Sequence, residues 1–219
     1  MKRTSPVLYA IAILFSGFCA YSCANNSKDD DKPKPDSARI AERKKVNPKP
    51  ENRPPIVNIV DTLVPKTIII YVKDSAATFE RISLKLGTIY GVKLPLYIKK
   101  NNLKTGGAPM AWYKKQPAGS YGKAPYFFEA GVPVNKKGSK AVAGVLVREM
   151  AAGKAVIAHF FGPFELLPQG YDAVKEWMKD NKKTAAGAPY EIYITDPMDK
   201  NGKPVDAYKI QTDIVFPIK

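Results

Sequence analysis

The chain repeats itself, and nothing else in it limits the possible folds as much. Gly107-Ala108-Pro109-Met110-Ala111-Trp112-Tyr113 returns eighty positions later as Gly187-Ala188-Pro189-Tyr190-Glu191-Ile192-Tyr193. Each copy runs through a variable loop to a strand with a hydrophobic-Pro-hydrophobic signature, Val132-Pro133-Val134 in one and Phe216-Pro217-Ile218 in the other. Each is also preceded by a strand and a helix. In the first copy an isoleucine-rich strand, Thr67 to Val72, leads to an N-cap offered by Asp74-Ser75. Phe79, Ile82, Leu86, Ile89 and Tyr90 then recur at helical spacing until Gly91 stops the pattern. In the second copy the strand is Lys154 to Phe161 and the helix runs from about Leu167 to Asn181. Tyr171, Val174, Trp177 and Met178 form its inner stripe, and Pro168 stands near its start. Two self-similar strand–helix–strand–strand units pack most simply about a pseudo-twofold axis, with one curved, mainly antiparallel sheet covered by two main helices. The expected class is therefore α+β, with repeat 1 at about 66–135, repeat 2 at about 150–219 and the natural pocket in the cleft between them. A further strand, Ile56 to Val64, precedes the first repeat across Pro65, and the pattern leaves its partner open.

Composition narrows the chemistry. With 45% of 219 residues hydrophobic there is material for a core of ordinary size, while a single histidine and two cysteines leave too few ligands for a zinc cluster or a Cys–His nucleophile. Asp199-Lys200-Asn201-Gly202 lacks the spaced carboxylates of a calcium loop and reads as a turn. No metal or cofactor is expected.

Residues 1–22 read as a secretory leader: Lys2 and Arg3, an apolar stretch from Val7 to Ala20, and small residues before Cys23. Cys23 is the expected lipid-attachment site, since Ala20 and Ser22 before it are small whereas Cys19 follows bulky Phe18. Ser27-Lys28-Asp29-Asp30-Asp31 resembles the acidic tag that follows the lipidated cysteine of surface-exposed Bacteroidetes lipoproteins. The alternative is an ordinary cleaved signal peptide. Residues 23–55 are charged and Pro-rich, without an aromatic residue, and read as a disordered tether. The net charge of +15 falls to +13 once Lys2 and Arg3 are removed. In an exported protein such a charge serves solubility and surface association, and no nucleic-acid partner is expected. The expected location is the cell envelope, on a lipid anchor such as palmitate in the outer membrane, with display at the cell surface left open and residues 56–219 as the globular part.

Several stretches then carry a family likeness: Arg148 to Gly153, His159-Phe160-Phe161-Gly162-Pro163-Phe164, the Tyr171 to Trp177 helix, Pro189-Tyr190-Glu191-Ile192-Tyr193 with Asp196-Pro197, and Thr212-Asp213-Ile214 with Pro217. In that order they resemble the GyrI-like, or AraC-type effector-binding, domain from roughly Lys66 to the C-terminus. The resemblance implies the doubled fold and a pocket for small molecules, often lipophilic or cationic. Some members of the family regulate transcription beside a DNA-binding domain, some stand alone, and some hydrolyse strained cyclopropane-containing compounds. No helix-turn-helix segment precedes the domain here, which disfavours transcriptional control.

Within this frame Glu191 is the leading site residue. A carboxylate between Tyr190 and Ile192 in a strand is substantially buried, so its pKa rises or it needs a cation. Alternation puts Glu191 and Tyr193 on one face, and the repeat maps them onto Ala111 and Tyr113. One acid, two tyrosines and a small alanine then converge across the pseudo-dyad with room for a flat ligand. In the resembling regulators a glutamate at this position receives the charge of a cationic drug. A structural alternative pairs Glu191 with a lysine on an edge strand. Trp112, on the opposite face of a regular strand, suits core packing or a cation–π wall, and His159 suits a hydrogen-bonded structural role more than a catalytic base. The ligand-binding candidates are thus Glu191, Tyr193, Tyr113, Ala111, Trp112 and His159. Three functions follow. The first is an anchored binder of a small organic ligand. The second is a hydrolase in which Glu191 activates water with help from Tyr193 or Tyr113. The third is a structural lipoprotein whose cleft is filled by its own side chains or by the Ile56–Val64 segment.

Overall fold

A computed structural model of the chain describes residues 54–114 and 125–219; the leader, Cys23 and the tether through residue 53 lie outside the described residues. The chain runs β1 (Ile56–Val64), β2 (Thr67–Ala76), α1 (Phe79–Thr88), a π-helical segment (Ile89–Lys93), α2 (Leu94–Asn101), β3 (Met110–Tyr113), β4 (Tyr126–Val134) and β5 (Leu146–Met150). It continues with β6 (Gly153–Phe161), α3 (Leu167–Asp180), β7 (Tyr190–Tyr193) and β8 (Gln211–Pro217). All eight strands form one antiparallel sheet in the order β1-β6-β8-β7-β3-β4-β2-β5.

This order reads the same from either end once the repeats are equated. At its centre β3 pairs with β7 through Met110–Ile192 and Ala111–Glu191. The repeat offset of eighty turns this ladder into itself, so the pseudo-dyad passes through the Ala111–Glu191 pair. The edge strands are exchanged: β1 precedes the first repeat yet pairs with β6 of the second along all nine residues, and β5 pairs with β2 of the first.

Connection lengths force the sheet to curl. β1 and β2 stand six places apart in the order, which is roughly 29 Å if flat at about 4.8 Å per strand. Only Pro65 and Lys66 join them, and three Cα steps reach about 11 Å. Ala151 and Ala152 impose the same condition on β5 and β6. The two ends of the sheet are therefore brought round toward each other, and Ile69, Met110, Trp112, Ala155, Tyr190 and Val215 form a core on the concave face with Val64 and Met150 packed against it. The convex face carries two more cores. Ile82, Ile89, Leu94 and Tyr97 of the first helix lie over β2 and β4, and Leu167, Val174 and Met178 of α3 lie over β6 and β8.

The two signatures that recur in the sequence are one contact made twice. Gly106 N–H donates to the Pro133 carbonyl at 2.9 Å, and Ala186 N–H to that of Pro217 at 2.8 Å. A Cβ on Gly107 would come 3.2 Å from the Pro133 ring, so the chain crosses that proline closely because it has none.

The first helix departs from expectation at both ends of its first half. Thr78, not Asp74-Ser75, caps it, accepting from Arg81 N–H at 3.3 Å. Asp74 and Ser75 are still in β2, and Asp74 is an ion-pair partner of Lys85. Nor does Gly91 stop the helix: it lies in the π segment, which closes with Leu94 N–H donating to the Ile89 carbonyl, and α2 follows at once. Pro95 has no N–H to return to the Gly91 carbonyl, so an α-register would be broken there anyway, and the wider turn absorbs the defect. Beyond this turn the two helices match at an offset of eighty. Asn101 and Asn181 each donate to the carbonyl of an aromatic residue four back, Tyr97 and Trp177. Asn102 and Lys182 both end their helices at positive φ, 49° and 53°. Before the turn the offset is eighty-one, equating Tyr90 with Tyr171 and making Gly91 the extra residue.

Asparagine tolerates the left-handed region and lysine does so poorly. Lys182→Gly is expected to raise stability by roughly 1 kcal/mol in denaturant titration, and Asn102→Gly by clearly less.

Candidate functional site

The residues around the pseudo-dyad come from four elements. Alternation along β7 points Glu191 and Tyr193 to the helix-covered face, and the matching β3 positions are Ala111 and Tyr113. Tyr171 reaches in from α3 and Tyr90 from the π turn.

Glu191 is 6% exposed, and both its oxygens are engaged. Tyr171 donates to Oε1 at 3.0 Å and Tyr193 to Oε2 at 2.9 Å. The Tyr193 hydroxyl lies 2.8 Å from that of Tyr113. With Glu191 ionised, Tyr193 gives its one proton to the carboxylate, so Tyr113 donates to Tyr193. The result is a directed line of hydroxyls ending on the acid. Tyr90, the dyad mate of Tyr171, finds Ala111 where its partner finds Glu191, and its hydroxyl goes to the Met110 carbonyl at 2.7 Å. Tyr193 meets the rings of Tyr90 and Phe164 edge-on, with centroids 6.4 and 6.2 Å apart.

Among the described residues no lysine, arginine or histidine pairs with Glu191. The edge-strand lysine alternative is therefore not the arrangement seen. Burial pushes the Glu191 pKa up, and the hydroxyls of Tyr193 and Tyr171 only partly counter it. Burial, and then the charge of Glu191, holds the Tyr171 and Tyr193 hydroxyls far above their ordinary range; the same two causes act on Tyr113. All three stay donors at any physiological pH. The cluster offers one buried negative group, surrounded by aromatic rings and lacking a cation.

Of the sequence candidates, Glu191, Tyr193, Tyr113 and Ala111 are brought together, whereas Trp112 and His159 lie on the concave face. Trp112 packs on Tyr190 at 5.2 Å and under the Arg148 guanidinium at 4.1 Å, and Arg148 also covers Tyr71 and pairs with buried Glu129. His159 Nδ1 is 2.8 Å from Asp213 Oδ1, and Gln211 also donates to that oxygen. Lys73–Glu129 occupies the matching place in the first repeat, so His159 is half of a structural pair. Sequence reading passed over Tyr90 and Phe164 as site residues and took Tyr171 only as core. Extending the repeat comparison into the helices with a one-residue slip would have found Tyr90 and Tyr171. An open hollow of about 410 Å³ between Pro65–Ile68 and Pro133–Asn135 lies away from this cluster and contains no buried ionisable group to orient a ligand.

Because native Glu191 holds a proton that the unfolded chain releases near the ordinary value of 4.5, it makes stability fall as pH rises from there through its raised native pKa. Glu149, which Lys137 and Lys66 hold at about 2, acts in the opposite sense, its contribution fading as pH drops below 4.5. That contribution cancels between wild type and Glu191→Gln. The difference in unfolding free energy between the two should tilt toward the variant as pH rises from 4.5, and a flat difference would show Glu191 titrating as a solvent-exposed acid does.

Residues 94–219 match the family described as the GyrI-like small molecule binding domain. No curated protein matches the chain. Among solved structures, the EcmrR C-terminal domain is similar with a TM-score of 0.58 and 19% identity, over 75% of this chain and 98% of that one. EcmrR in its complex with DNA gives 0.60 and 20%, over 74% of this chain; the chain spans 57% of that protein. A hydrolase from Listeria innocua gives 0.52 and 10%, over 74% of this chain and 92% of that one. At these identities the fold is what is shared.

Proposed function

The chain belongs to the GyrI-like small-molecule-binding family, and from that premise we propose that it holds a lipophilic organic cation over the pseudo-dyad, with Glu191 as the anchoring carboxylate. The observation that carries this reading is a buried acid with hydroxyl partners and no cation among the described residues. A buried charge without a counter-charge is costly. In the free protein burial raises the Glu191 pKa and so favours its neutral form, and a cationic ligand offsets the same cost by supplying the missing charge. The half-buried rings of Tyr171, Tyr113 and Tyr193 provide aromatic surface for a flat ligand, and the small Ala111 stands where a second carboxylate would by symmetry.

Crystal violet, an aromatic cation, and its neutral leuco form separate charge from greasiness. Glu191→Gln should weaken the cation by about 1.5–3 kcal/mol, ten- to a hundredfold, and leave the leuco form unchanged. Cation binding to wild type should tighten as pH rises through the native Glu191 pKa, because the ionised acid is the binding form. Equal titration curves for wild type and variant would refute the anchor.

The unbroken hydroxyl line Tyr113–Tyr193–Glu191 favours a second reading, in which Glu191 activates water to open a strained ring. A water would have to share an oxygen of Glu191 with Tyr171 or Tyr193, whereas charge pairing with a cation asks for no further hydrogen bond there, so binding is the better supported of the two. Mass spectrometry of a cyclopropane-bearing compound after incubation distinguishes them: a binder returns it intact.

The membrane-anchoring part of the reading rests on Cys23 and the leader. No helix among the described residues is long and apolar enough to cross a membrane. Acylation at Cys23 would hold the domain at the cell envelope. Cells fed alkyne-palmitate should label the wild-type chain and not Cys23→Ala; label retained in the variant would move the anchor elsewhere.

A further inference from the structure

The two dyad-related helices bury the same kind of face and expose opposite kinds. On α3, Asp172, Lys175, Glu176 and Lys179 face solvent, and Asp172 pairs with Lys175 at 2.8 Å. Their counterparts eighty positions earlier are Val92, Pro95, Leu96 and Lys99. Leu84, Val92 and Leu96 are 58%, 61% and 53% exposed. Gly87 and Gly91 stand between them, and an added Cβ on either would find nothing within 4 Å, so neither glycine is there for a neighbour in this chain. From Leu84 to Leu96 the only charged residues, Lys85 and Lys93, are half-buried, and Lys85 is tied to Asp74 and the Ser75 carbonyl. In a chain of net charge +15, this is an uncharged strip over three turns of helix.

The strip runs into a basic cluster. Lys99 and Lys100 follow it, and Lys100 donates to the Ala141 carbonyl at 2.9 Å. Asn101 bonds both backbone groups of Lys140, at 2.9 and 2.7 Å. These bonds fasten the loop carrying exposed Lys136 and Lys140 to the end of α2; Lys137 of the same loop is paired with Glu149. Apolar side chains beside clustered lysines suit an interface whose interior is hydrocarbon and whose surface is negative. A second copy of the chain answers this charge poorly, since Glu80 is the one acid on the outer face of the same helix.

We propose that the outer face of the α1–α2 helix docks on an anionic lipid surface, with Leu84, Val92 and Leu96 at the acyl boundary and the Lys99–Lys140 cluster against the headgroups. This is a contact of the folded domain, separate from any acyl chain on Cys23.

The test uses the full chain with Cys19 and Cys23 replaced by serine, so that a nitroxide on Val92→Cys or on its mate Asp172→Cys is the only label. On vesicles of equal phosphatidylglycerol and phosphatidylcholine, the label at 92 should gain contact with oxygen and lose contact with a nickel chelate, and the label at 172 should not. Val92→Asp with Leu96→Glu copies the charges that α3 already tolerates. It should lower affinity for these vesicles at least tenfold, measured against wild type with the same leader. Lys99→Ala and Lys136→Ala, at exposed positions, should each cost about fivefold and flatten the salt dependence. Unchanged labels on vesicle-bound chain would mean that the leader alone holds it, and would overturn the proposal. So would equal affinity for pure phosphatidylcholine, or a dimer in solution that the Val92→Asp, Leu96→Glu variant splits, which would give the face to a second copy.

Discussion

Two backbone pairs, Met110 with Ile192 and Ala111 with Glu191, are the seam on which the two halves of the sheet meet at its centre. So short a ladder would be weak alone. It holds because the sheet curls and buries Trp112, Tyr190 and Met110 on the concave side, directly beneath the seam, while helices cover the other side. The seam also fixes what lies on the dyad. Whatever residue follows Tyr190 must face its own counterpart from the first repeat, and there the symmetry is broken by an alanine opposite a glutamate.

That break is what sets the candidate site apart from the rest of the fold. Two glutamates on the axis would have to share a proton, and two alanines would leave only a greasy saddle. With one of each, a single carboxyl group sits off-centre among four tyrosines, two of them bonded to it and one parked on the Met110 carbonyl. The paired acids of the concave face, Glu129 with Arg148 and Lys73, and Asp213 with His159, show how this molecule treats buried carboxylates that only have to be stable. Glu191 is handled differently, and that contrast is what the proposed ligand role rests on.

Much of this was legible in the sequence because the repeat is a statement about geometry. Comparing residues eighty apart put Glu191 and Tyr193 on one face with Ala111 and Tyr113 opposite, and it located α3 to within a residue of its observed end. It was silent where the cause is not local. His159 takes the concave face because of its register with Asp213, a pairing between strands fifty residues apart that no periodicity reveals. The sequence pattern stops at Gly91 because glycine usually ends a helix, whereas burial of Leu94 and Tyr97 beyond it offsets one irregular turn. The same turn hid Tyr90, since an inserted residue displaces the match with Tyr171 by one. Strand β1 carried a clear pattern and no hint of its partner, because its mate lies in the other repeat.

The exchange of edge strands bears on how the molecule comes into being. A ribosome delivers β1 first, yet the residues that complete its hydrogen bonds, Gly153 to Phe161, emerge some ninety to a hundred positions later. Until then Ile56–Val64 is an unsatisfied ribbon, and the half already made cannot close around it. Birth order and pairing order thus differ, because the first strand of the sheet to be made waits for the sixth before it is paired.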